Sequence, residues 1–92
     1  MVDARKQPSN KAYKLLERTR RSRAGWGQAH YSRLFRAFGF LPREGGKHTI
    51  YWDPGDKSNR VQVPRHNKLK AYVANQAISA IERMLSREAL DQ

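Results

Sequence analysis

Lys47-His48-Thr49-Ile50-Tyr51-Trp52 runs into Asp53-Pro54-Gly55-Asp56 and then, beyond Lys57-Ser58-Asn59, into Arg60-Val61-Gln62-Val63-Pro64. β-branched and aromatic residues crowd the first piece, a composition that fits a pleated, half-buried surface. Asp-Pro-Gly-Asp is turn chemistry, because proline presets one backbone angle and glycine adopts angles other residues avoid. In the last piece Val61 and Val63 share one side and Gln62 takes the other, which is the period of a strand. Pro64 closes it, since proline cannot donate to a ladder. The expectation is an antiparallel hairpin with strands over residues 47–52 and 60–63.

Working outward, residues 40–44 read as a weaker strand that Pro42 confines to an edge. Before it, Tyr31, Leu34, Phe35 and Phe38 fall at i, i+3, i+4 and i+7, one face of a helix. Gly39 stands where a left-handed cap belongs, and Phe40 beyond it can fold back on the last turn as in a Schellman ending. Ala24-Gly25-Trp26-Gly27 reads as a turn. Upstream, Ser9 or Asn10 can cap a helix with apolar positions at Ala12, Tyr13, Leu15 and Leu16, running into Arg18, Arg20, Arg21 and Arg23. On the other side, residues 72–85 carry the stripe Val73, Ala77, Ile81, Met84 and Leu85, with Ile78 alongside. The order is α-α-β-β-β-α. It predicts an α+β domain over residues 10–92, a three-stranded antiparallel sheet with helices on one face, after a flexible tail over residues 1–9.

The 92 residues allow one small domain with a modest core. Nineteen Lys and Arg against eight Asp and Glu give a net charge of +11. Residues 1–36 hold ten of those cations against two acids, Asp3 and Glu17. A field of this sign attracts polyanions: nucleic acid first, an acidic protein second, an anionic membrane last. No apolar run approaches the ~20 residues of a spanning helix, and residues 1–10 lack the apolar core of a secretory signal. The chain contains no cysteine, so disulfides and thiolate zinc sites are excluded. The expected setting is cytoplasmic, away from membrane.

On this basic chain, the segment Gly45-Gly46-Lys47-His48 places an imidazole at the start of a strand beside permissive backbone. If Ile50 and Trp52 face the core, His48 lies on their side near the helix layer. If Tyr51 is the core residue, His48 points to the open face. Histidine suits RNA cleavage because its ordinary pKa of ~6.5 lets it take or give a proton near neutrality. RNA carries its own nucleophile, the 2′-hydroxyl, so removing that proton permits in-line attack on the adjacent phosphorus with no metal or other cofactor. Cations can steady the added charge on the phosphate. Lys47, Arg43, Arg65, Lys68 and Lys70 are the candidates to do so. His66 is a candidate RNA contact that could protonate the leaving oxygen, and His30 reads as solvated. Lys68 and Lys70 precede a helix, where cations oppose the dipole; a phosphate bridging them to the helix amides would reverse that cost. Trp26 and Trp52 could stack bases, although burial is the expected place for both.

The segment Gly46-Lys47-His48-Thr49-Ile50-Tyr51 resembles the Gly-Ser-His-x-x-aromatic signature of the HicA-type mRNA interferase toxins. The order of elements is also similar: a helix ending Ala37-Phe38-Gly39-Phe40, the histidine strand, a Pro-Gly turn, a strand ending Val61-Gln62-Val63-Pro64-Arg65-His66, and a helix opening near Lys70. The likeness covers about residues 12 to 86, and Lys14-Leu15-Leu16-Glu17 resembles the extra helix of longer members. It implies a fold like the double-stranded-RNA-binding domain and a metal-independent endoribonuclease, with His48 as catalyst, that blocks translation by cleaving mRNA. It further implies a type II pairing with a HicB-type antitoxin that covers the site. The family's serine before the histidine is Lys47 here, so a hydroxyl is lost and a charge gained. Two other readings compete: a non-catalytic RNA-binding module of the same fold, and a small protein whose basic face docks an acidic partner.

Overall fold

The computed structural model describes residues 8–90. Residues 1–7 of the expected tail, and residues 91 and 92, lie outside the described residues. The elements follow the order α1 (Asn10–Arg21), α2 (Gln28–Ala37), β1 (Leu41–Gly45), β2 (His48–Asp53), β3 (Asp56–Pro64) and α3 (Ala71–Leu90). The three strands form one antiparallel sheet in the order β1-β2-β3. This is the α+β arrangement expected, with β3 and α3 each longer than their sequence signals.

Ser9 caps α1, its hydroxyl accepting from the Ala12 amide at 3.2 Å. Ala12 and Leu16 are buried, and Tyr13 stays largely exposed with its ring edge-on to Phe38. The end of α2 is a Schellman closure. Gly39 takes φ +86°, its amide donates to Arg36 O at 3.0 Å, and the Phe40 amide donates to Phe35 O at 3.0 Å. The Phe40 ring folds back on Phe35, centroids 5.1 Å apart. That closure turns the chain from α2 into β1.

The register of the sheet decides which face is buried. Thr49 lies opposite Val63 and Tyr51 opposite Val61, and all four are buried beneath the helices. Tyr51 stacks on Phe35 at 4.8 Å. Val73, Ala77, Ile78, Ile81 and Met84 of α3 complete the core with Leu34 and Phe35 of α2. His48, Ile50 and Trp52 therefore share the opposite, open face, each only half-buried. Among the described residues no helix is long and apolar enough to cross a membrane.

Two loops are tied together behind this core. The Gly25 amide donates to Leu69 O and the Leu69 amide to Trp26 O, both at 2.8 Å, while the Gln28 amide donates to His66 O at 3.1 Å. The loop before α2 thus fixes the path of residues 65–70 into α3.

Candidate active site

Gly46 and Lys47 form a two-residue hairpin between β1 and β2, with Gly45 paired to His48. Gly46 has φ +74° and Lys47 does not share the left-handed region, the type II′ pattern that matches strand twist. Lys47 stands at the exposed tip of the turn. His48 is the first residue of β2, set between Gly45 on one side and Pro64 on the other. Neither cross-strand neighbour carries a polar side chain, and the ring nitrogens of His48 make no hydrogen bond to another described residue. Beneath it, the buried Thr49 hydroxyl accepts from Gln28 Nε2 at 2.7 Å, which fastens the start of β2 to the start of α2.

His48 lines a groove of about 640 Å³ that runs along β3 and the first half of α3. Arg60, Gln62, Tyr72, Asn75, Gln76 and Arg83 contribute its polar and aromatic wall, and no carboxylate lines it. Arg83 is held 3.2 Å from Asp56, and the Asn75 amide oxygen accepts from Arg23 at 2.8 Å. Tyr72 is half exposed, and Gln62, Asn75 and Gln76 offer both donors and acceptors. In the sequence these α3 residues do not stand out, because Tyr72, Asn75 and Gln76 look like the ordinary polar side of a helix. The one available signal was their i, i+3, i+4 spacing on the side away from the Val73 stripe.

The remaining candidates are scattered. Arg43 sits on the open face opposite Ile50. Arg65 pairs with Glu44 across the hairpin, so its charge is partly answered. Its backbone amide donates to Lys47 O. His66 lines a separate cavity at the start of α2, together with Trp26, His30, Arg33, Arg65 and Asn67. Lys68 and Lys70 are exposed and line neither the groove nor that cavity.

His30 is the clear departure from expectation. It is buried rather than solvated, stacked on Trp26 with centroids 3.9 Å apart. Burial, with Arg33 and Arg18 nearby, pushes its pKa down to about 4. Among the described residues no three His, Cys, Asp or Glu side chains come together as a metal-binding set. No protein-family model, no curated protein and no solved structure matches the chain. The resemblance to the HicA-type toxins rests on the motifs that carry it.

Proposed function

We propose that the protein is a metal-independent endoribonuclease, the mRNA-cleaving toxin of a type II pair whose partner is a HicB-type antitoxin. The observation that carries this reading is the placement of His48: a half-buried imidazole between a glycine and a proline, opening on a carboxylate-free groove of a chain with net charge +11. Such a groove admits a phosphodiester without like-charge repulsion. His48 takes the proton of a ribose 2′-hydroxyl. The freed oxygen attacks the adjacent phosphorus, the bond to the 5′-oxygen breaks, and a 2′,3′-cyclic phosphate forms. Lys47, next to His48 at the turn, and Arg65, one residue beyond its cross-strand neighbour Pro64, are the nearest cations in sequence and register to steady the pentavalent phosphate. The leaving oxygen takes its proton from solvent in this scheme, because His66 lines a different cavity.

A non-catalytic RNA-binding module of the same fold is the second reading, favoured by that separation of the two histidines. One experiment divides them. Labelled single-stranded RNA is incubated, with chelator, with the parent protein and with His48→Ala. Cleavage by the parent to cyclic-phosphate ends and none by the variant supports the nuclease. Equal cutting by both removes His48 from the chemistry. Binding without cutting by either assigns the protein to the second reading.

A further inference from the structure

The open face of the sheet carries a feature that the cleavage chemistry does not use. Trp52 lies there with Arg60 directly opposite it on β3. Lys57 Nζ stands 5.8 Å from the centre of the Trp52 ring. Ile50 lies two residues before Trp52, with Arg43 opposite on β1. Together with Pro42 these side chains line a shallow cavity of about 350 Å³. Three cations share this cavity with one indole, no acid lines it, and none of the three cations is paired with a carboxylate among the described residues.

From this juxtaposition we propose that the shelf is a base-stacking subsite for single-stranded RNA, in which Trp52 receives one nucleobase and Arg43, Lys57 and Arg60 take the flanking phosphates. The proposal takes its RNA ligand from the nuclease reading and adds where the strand runs. His48, Ile50 and Trp52 form a row along β2, and four residues of strand place Trp52 roughly 13 Å from His48. An extended RNA strand covers that distance in a few nucleotides, so a base near the scissile ribose reaches the indole. The lysine stands close to the ~6 Å limit for a cation on a ring face. It is exposed, so it can swing to a phosphate when a base takes its place. Aromatic stacking with cations along the backbone is the general mode for sequence-tolerant strand binding. An acidic protein fits less well. The apolar floor is the half-buried Pro42, Ile50 and Trp52, with the exposed Leu41 opposite Trp52 at its edge, far short of the core of a stable protein interface.

The test is binding, not cleavage, and uses the His48→Ala protein so that the oligonucleotide stays intact. The anisotropy of a short, dye-labelled single-stranded oligoribonucleotide gives the affinity of every variant, while indole emission is followed in the protein that keeps Trp52, with Trp52→Phe supplying the Trp26 background. Quenching is expected on binding, with affinity falling roughly ten-fold in Trp52→Ala and recovering in Trp52→Phe. A melt confirms that each variant is folded. Unchanged affinity in folded Trp52→Ala overturns the proposal. Equal quenching by an abasic oligonucleotide or by poly-glutamate also overturns it, the latter in favour of an acidic protein ligand. These outcomes are independent of whether the parent cleaves RNA, so the subsite and the nuclease reading fail separately.

Discussion

The Nε2 atom of His30 lies 2.8 Å from the hydroxyl of Thr19, and that hydroxyl also reaches the Leu15 carbonyl at 2.7 Å. A hydroxyl has one proton to give, and the carbonyl can only accept it, so the imidazole must be the donor to Thr19. With its pKa pushed down to about 4, His30 is neutral at pH 7 with its proton on Nε2, and it joins α1 to α2 inside the fold. The unfolded chain protonates this histidine near pH 6.5, the folded chain only near 4. Between those values the unfolded state binds more protons, so stability falls as pH falls from 6.5 towards 4 and is unaffected by this residue above 6.5. The expected loss at pH 5 is about 2 kcal/mol. Urea unfolding at pH 7 and pH 5 measures it, and His30→Gln should flatten that part of the profile. An unchanged profile in the variant would assign the slope elsewhere.

A second buried polar group holds the hairpin to α3. The Asp53 carboxylate, almost fully buried, accepts from both terminal nitrogens of Arg87, from the Gly55 amide at 2.9 Å and from Asn59 Nδ2 at 3.4 Å. Burial by itself raises this carboxyl, but the hydrogen bonds from Arg87, Gly55 and Asn59 outweigh it and hold the value below the ordinary 3.8. Its contribution is present above pH 3.8 and is lost as pH falls through the depressed folded value, below the window set by His30. Arg87→Ala leaves a buried carboxylate unanswered and should cost about 3 kcal/mol, the low end for such pairs because Arg87 is partly exposed. Asp53→Asn should cost less. A double-mutant cycle on unfolding free energies checks the coupling.

Gly27 is required by its neighbour rather than by its own angles. A Cβ there would stand 2.6 Å from the Asn67 carbonyl oxygen, and φ is an unremarkable −99°. Since the obstructing atom is backbone, Gly27→Ala must push the 65–70 loop away from the start of α2. The expected cost is about 1–3 kcal/mol, with faster hydrogen exchange of the Gly25 and Leu69 amides that pair the two loops. A thermal melt and amide exchange at those two positions test it together.

The parts of the molecule that the sequence made legible are those where one local rule applies without competition. The Schellman ending at Gly39 and Phe40 is one, and the Asp53-Pro54-Gly55-Asp56 turn is another. The face of β2 was not legible, because Thr49, Ile50, Tyr51 and Trp52 are strand formers on both sides and show no alternation. Val61 and Val63 settle it only once the register is known, and the shift between Trp52 and Asp53 breaks a simple count from the turn. His30 carried a readable signal: it stands four residues before Leu34, on the buried side of α2. The groove beside His48 was out of reach, since α3 comes alongside β3 through loop pairing between residues 25–28 and 66–69 that no local pattern encodes.

Arg65 offers the sharpest test of how cations around His48 contribute to RNA binding. It pairs with Glu44, and both side chains are largely exposed. An exposed pair adds little to stability, so Glu44→Gln should leave unfolding within about 0.5 kcal/mol of the parent. The same change frees a guanidinium one residue beyond Pro64, the cross-strand neighbour of His48. In the His48→Ala background, single-stranded RNA should then bind more tightly, and the slope of log affinity against log salt should steepen by roughly one unit. Lys68→Glu and Lys70→Glu should act in the opposite sense and make the slope shallower. Affinity measured across a salt series distinguishes the two, because a cation that contacts phosphate changes the slope. An unchanged slope for Glu44→Gln would place Arg65 outside the RNA path even though it lies beside the hairpin that presents the imidazole.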